Sequence, residues 1–399
     1  MAAHPFRIAV PDETLADLHD RLARARLPAG LGGDGWGHGT NPDYLRALCD
    51  YWRETFDWRA AEARLNGFRQ FTAEVDGLRL HFIHERGAGP SPVPIVLLHG
   101  WPDSFWRFSK LIPLLTDPAA SGLAGAPSFD VVVPSLPGYG FSERVHKDGA
   151  AFQFGDLMHK LMTDVLGYDR YAVHGGDFGS MVAEQMARSH AGSVLALHLT
   201  DVPFFHTFQK PHDPSDAERD YFKRMDAFAQ KEAAYAMIQS TKPMTLAPGL
   251  NDSPAGLAAW IVEKFQAWTD RDGDPEATIS RDELLTNITL YWATQTIDSS
   301  FAPYYDVANA GPMRWMGEGL KGLAGGRKTV PAAFAIFPKD LVTPPRAWAE
   351  RFFDVQRWTE MPSGGHFAAL EEPERLARDI GEAIGDLAAQ EAPRHRGAA

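Results

Sequence analysis

The spacing of apolar and polar positions changes character three times along this chain. From Asp12 to Arg26, leucines at 15, 18 and 22 recur at helical spacing. Trp36, Tyr51, Trp52, Phe56 and Trp58 follow, and read as anchors holding a polar, partly helical segment onto a larger body. From about residue 78, short apolar runs alternate with helical stretches. Leu80–His84, Pro94–His99, Asp130–Val133, Tyr171–His174 and Val194–Leu199 read as strands, with helices near 104–115, 154–167 and 180–190. That alternation predicts a mostly parallel sheet with helices on both faces. After Pro203 the strands stop, and residues 204–305 read as helices broken at Pro211, Pro243, Pro254 and Pro275. Strands return at Ala332–Phe337 and Val355–Thr359. A helical block between strands of one sheet is most simply a lid over the carboxyl edge, where open α/β sheets bind ligands. The expected division is an N-terminal segment (1–77), two core parts (78–203 and 306–390), a lid (204–305) and a fraying tail (391–399).

Composition narrows the class. A chain of 399 residues can bury a large core as one catalytic domain with an insertion. Its 44% apolar content argues against disorder. A net charge of −13 without a basic stripe argues against nucleic-acid binding. The single cysteine, Cys49, rules out an intrachain disulfide framework and fits a reducing compartment. The N-terminus has no apolar leader, and the longest apolar runs are strand length, so a cytoplasmic protein without a membrane span is expected. No CxxC or HExxH spacing points to a metal, and no cofactor is expected. Oligomeric state is open, a homo-oligomer included.

The chemistry centres on Gly-Gly-Asp-Phe-Gly-Ser, residues 175–180, between an apolar strand and a helix. This is the layout of a nucleophile elbow, with Asp177 where an esterase carries serine. A carboxylate nucleophile attacks saturated carbon and leaves an alkyl ester on the enzyme, which is the chemistry of epoxide opening or halide displacement. An aspartate at a strand end also serves as a helix N-cap. Chain order separates the readings. Asp340 follows one later strand, and His366, in Ser-Gly-Gly-His-Phe, follows the last. Asp177, Asp340, His366 is the nucleophile, acid, base order of α/β-hydrolases. His99-Gly100-Trp101-Pro102 follows another strand, so the backbone N–H groups of Trp101 and Phe178 are the expected oxyanion donors.

With these motifs in order, the chain resembles the microsomal-type epoxide hydrolase family, including the juvenile-hormone epoxide hydrolases. The likeness runs from about residue 4 to 388. It rests on His99–Pro102, Gly175–Ser180, Gly364–Pro373, and the lid stretches Ile238–Phe265 and Leu284–Ser300. The resemblance implies an α/β-hydrolase fold, a leading domain lying against the lid, and two lid tyrosines holding the epoxide oxygen. By the family's spacing these are Tyr235 and Tyr304, with Tyr305 adjacent to the second. A phenol is neutral at pH 7 and donates a hydrogen bond to a developing alkoxide. The chain departs from the family pattern in three places: Phe178 stands where Trp is frequent, Asp103 where Gly is usual, and Asp340 where many members have Glu. Asp103 is expected to cap the helix beginning near Ser104. The N-terminal membrane anchor of the vertebrate members is not expected here.

The expected reaction is therefore hydrolysis of a hydrophobic epoxide to a vicinal diol through an ester on Asp177, with epoxide and water as partners. The alternatives are a haloalkane or haloacid dehalogenase on the same fold, and a non-catalytic hydrolase-fold binding protein. Ring-opening tyrosines have no task in halide departure, and every catalytic position is occupied.

Overall fold

The molecule, a computed structural model, is described for residues 2–32, 35–208, 210–270, 276–310 and 330–391, with side chains to residue 387. Among these residues one sheet has nine strands: β1 (His4–Phe6), β2 (Gln70–Val75), β3 (Leu78–Glu85), β4 (Val93–Leu98), β5 (Phe129–Pro134), β6 (Tyr171–Gly175), β7 (Val194–Leu199), β8 (Pro331–Ile336) and β9 (Asp354–Glu360). Their order is β1-β2-β3-β5-β4-β6-β7-β8-β9. Pairings from β1 to β5 through β2 and β3 are antiparallel, and those from β5 to β9 are parallel. Every residue of β5 and β6 is buried. That matches unbroken apolar runs in strands covered on both faces.

The helices are α1 (Asp12–Ala23), α2 (Pro42–Glu54), α3 (Trp58–Leu65), α4 (Leu111–Thr116), α5 (Phe154–Lys160), α6 (Phe178–Ser189), α7 (Asp216–Lys231), α8 (Ala234–Thr241), α9 (Pro243–Asp252), α10 (Pro254–Trp268), α11 (Arg281–Thr294), α12 (Ala302–Asn309), α13 (Arg346–Ala349), α14 (Ala368–Glu371) and α15 (Pro373–Glu391). Those from α7 to α12 lie between β7 and β8, where the helical insertion was expected. Pro243 and Pro254 open α9 and α10, where a missing N–H costs nothing. Capping boxes begin α7 (Ser215 with Glu218) and α11 (Ser280 with Glu283). Pro275 and the tail at 392–399 lie outside the described residues.

The sheet also reaches into the N-terminal segment, where sequence reasoning named no strand. β1 pairs with β2, and β2 with β3 over six residues. Gln-Phe-Thr-Ala-Glu-Val alternates polar and apolar residues at the strand period, the local signal that marks it, and pairing on both sides completes the strand. The aromatic anchors act on α11: Trp52 donates from Nε1 to Thr289 Oγ1 (3.0 Å) and Tyr51 from its hydroxyl to Asp282 Oδ1 (2.8 Å). The N-terminal segment thus braces the helical insertion. No helix among the described residues is long and apolar enough to cross a membrane.

Candidate active site

The turn between β6 and α6 leaves Gly176 and Asp177 to reverse the chain. Asp177 has φ 56° and ψ −131°, a conformation that costs a residue with a Cβ about 1–3 kcal/mol. Its N–H donates to Asp201 Oδ2 (2.8 Å), and Ser180 Oγ donates to its carbonyl (2.7 Å). Close packing leaves no room beside it. A Cβ on Gly179 would fall 2.0 Å from the Leu98 carbonyl oxygen, and one on Gly100 would fall 2.1 Å from Asp177 Oδ1.

The two oxygens of Asp177 have different surroundings. Oδ1 accepts the Trp101 N–H at 2.9 Å, and Oδ2 faces His366 Nε2 at 3.6 Å, beyond hydrogen-bond length. Phe178 opens α6, in the turn where backbone N–H groups lack intrahelical acceptors. Among the described hydrogen bonds, however, the Asp177 carboxylate receives from Trp101 alone. On its other side, His366 Nδ1 meets Asp340 Oδ1 at 2.7 Å, and that oxygen also accepts the Leu341 N–H at 2.7 Å. The loops after β6, β8 and β9 therefore bring Asp177, Asp340 and His366 into one line. Burial opposes charge on the imidazole, but Asp340, reinforced by Asp177, raises its pKa from 6.5 to about 9.

Tyr235 on α8 and Tyr304 on α12 close the site from the helical insertion. The Tyr235 ring stacks on Trp101 (centroids 5.2 Å apart, planes at 10°). Tyr304 meets Trp101 and Phe178 edge-on at 5.9 and 4.7 Å, and the two tyrosine rings lie 6.0 Å apart. These contacts belong to Tyr304, and none of them to Tyr305. Burial, then the Asp177 charge, raises the pKa of the Tyr235 phenol. Burial, then Tyr235 and Asp177, does the same for Tyr304. Both phenols are therefore held neutral. Trp268 and Phe301 complete an aromatic wall around Trp101.

The structure corrects one expectation and adds two residues. Ser104, not Asp103, caps the short helix at Phe105–Phe108. Asp103 is buried instead: its Oδ1 accepts the Gly100 N–H (3.2 Å) and its Oδ2 lies 2.8 Å from Arg107 Nη1. Burial raises the pKa of Asp103 to about 6, with Arg107 opposing the rise. Arg107, which sequence reasoning missed, also donates from Nη2 to the His366 carbonyl (2.8 Å). One buried ion pair therefore links the Gly100–Trp101 loop to the His366 loop. The i, i+4 spacing of Asp103 and Arg107 was the available signal. Asp201 was also missed. Burial, then the Asp340 charge, raises its pKa to about 7, and only its position after a strand hinted at a role. His99 is structural: Nδ1 meets the Gly100 carbonyl and Nε2 accepts the Leu136 N–H, both at 3.0 Å. No group of three or more metal-binding side chains is arranged around an ion site among the described residues.

This sheet order, with its elbow and helical insertion, defines an α/β-hydrolase. Residues 93–242 match the family model for the alpha/beta hydrolase fold, and residues 3–108 the model described as epoxide hydrolase N terminus. Epoxide hydrolase 1 of Sus scrofa is 39% identical over 412 residues, covering 97% of this chain and 89% of that protein. The juvenile hormone epoxide hydrolase structure from the silkworm Bombyx mori aligns with a TM-score of 0.85 at 28% identity, covering 98% of this chain and 95% of that one. The Aspergillus niger epoxide hydrolase structure aligns at 0.81 and 33%, covering 97% and 96%. The chain belongs to the epoxide hydrolase family, on the side of its microsomal-type and juvenile-hormone members.

Proposed function

We propose that the protein hydrolyses a hydrophobic epoxide to a vicinal diol through an alkyl ester on Asp177. The carrying observation is the line Asp177, His366, Asp340 with two neutral phenols facing it from the opposite side. Asp177 Oδ2 attacks the less hindered ring carbon as that carbon's bond to the epoxide oxygen breaks. Tyr235 and Tyr304 donate hydrogen bonds to the departing oxygen, help worth roughly 100- to 10000-fold. His366, held in one tautomer by Asp340, then takes a proton from water as the water oxygen adds to Asp177 Cγ. The negative charge collects on Oδ1, where Trp101 N–H already sits at 2.9 Å and Phe178 N–H is the second donor. Cleavage of the Cγ–Oδ2 bond releases the diol as the imidazolium gives its proton to Oδ2, and the remaining water proton, left on the regenerated Asp177 carboxyl, restores the phenol that protonated the epoxide oxygen.

The aromatic wall of Trp101, Trp268, Phe301 and Phe178 supports an apolar substrate. Halide displacement would use the same carboxylate but gives the paired phenols no task. The division into N-terminal segment, split core and lid is part of this reading, supported by the bracing contacts of Trp52 and Tyr51. So is a cytoplasmic setting, supported by the single cysteine, buried and unpaired.

The test is intact-protein mass spectrometry of His366→Gln incubated with aryl and alkyl epoxides. We expect a stable mass gain of one whole epoxide on the peptide containing Asp177. Diol release at the wild-type rate without an adduct would refute the scheme.

A further inference from the structure

We propose that Lys264 acts through Tyr235: its ammonium, held over the phenol ring inside the lid, makes that phenol the better proton donor to the opening epoxide. The proposal rests on the ring-opening role assigned to Tyr235 above.

Lysine is rarely buried, because its charge is strongly hydrated. Lys264, on α10, is only 5% exposed. Its Nζ lies 4.7 Å from the Tyr235 ring centroid and 5.5 Å from that of Trp268, one turn along the same helix. Its counter-ion is the adjacent Glu263 carboxylate, in direct contact. The Lys264 side chain is 6% exposed and that of Glu263 22%, so the cation faces inward and the anion outward. Tyr235 is thus fixed by the parallel Trp101 indole and by a cation over its ring.

As the ring opens, the epoxide oxygen draws the phenolic proton and negative charge grows on Tyr235. Burial opposes that charge, and Asp177, Glu263 and Glu232 add like-charge repulsion. A cation over the ring acts the other way. Its attraction to the π system strengthens as the phenol approaches phenolate, so it favours the transition state over the ground state. The cation over its ring therefore favours Tyr235 as the proton donor to the opening epoxide.

The experiment compares Lys264→Met, Lys264→Arg and Tyr235→Phe by rapid-quench single turnover, following ester formation and ester hydrolysis separately. Lys264→Gln replaces Lys264→Met if the latter does not fold. We expect loss of the charge to slow ester formation about tenfold and leave ester hydrolysis unchanged. Arginine should restore most of the rate, and alkaline difference spectra should show a tyrosine titrating higher in the Met variant. If Tyr235→Phe forms ester as fast as wild type, the ring-opening reading fails and this proposal with it. If Tyr235→Phe is slow but Lys264→Met is not, only the Lys264 proposal is overturned. Equal slowing of both steps in Lys264→Met would mark a packing role and also overturn it.

Discussion

Asp340→Asn separates the two chemical steps, because Asp340 touches His366 and not the substrate carbon. In the native site Asp340 lies 2.7 Å from Nδ1 on a side chain only 2% exposed. The rise of the His366 pKa from 6.5 to about 9 corresponds to about 3 kcal/mol favouring the imidazolium, and is reached against the cost of burial. Asp340 and Asp177 supply it together. Once Asp177 is esterified its charge is gone, and Asp340 alone stabilises the imidazolium that forms as water is deprotonated. Removing that charge should raise the hydrolysis barrier by about 3 kcal/mol, slowing the step about 100-fold. Ester formation, which does not need a neutral imidazole, should change only a few-fold. Rapid-quench mass spectrometry under excess epoxide should therefore show the alkyl-enzyme accumulating as the main species. Diol turnover near the wild-type rate, or equal slowing of both steps without accumulation, would refute the argument.

Two further outcomes follow from the site. Ester hydrolysis needs His366 neutral, so its rate should fall as pH drops through the imidazole pKa of the alkyl-enzyme. That pKa lies below the resting value of about 9 because the Asp177 charge has been consumed. Single-turnover hydrolysis rates that stay flat from about pH 5 to 8 would exclude the histidine as base. Arg107→Met leaves Asp103 buried without its cation and should cost about 3–5 kcal/mol in urea unfolding, whereas Asp103→Gly combined with Arg107→Met should cost clearly less. Equal losses in the single and double variants would show that the pair is not coupled.

The line Asp177, Asp340, His366 was legible in the chain because each residue follows a strand, and parallel strands deliver their carboxyl ends to one edge. Tyr235 and Tyr304 were legible only through family resemblance. Nothing in local spacing distinguishes Tyr304 from Tyr305; only Tyr304 has the described ring contacts with Phe178 and Trp101, which is why the proposed scheme uses it. Asp103 drew notice as an odd residue beside the oxyanion loop, but the bond from its partner Arg107 to the His366 carbonyl joins residues 259 positions apart.

What the sequence alone determined was therefore periodic or local: the strand–helix alternation, the helical insertion, the small residues that let the elbow close, and the order of the reactive side chains. These are written in spacing, because a helix repeats every 3.6 residues and a strand every two. The tertiary structure decided what depends on neighbours distant in the chain. It placed the alternating segment Gln70–Val75 between β1 and β3 and so joined the N-terminal segment to the main sheet. It also turned Asp103 into half of a buried ion pair and set Lys264 over the Tyr235 ring. Charge inside a protein takes its energy from burial and from partners, and for these residues the partners come together only when the chain folds.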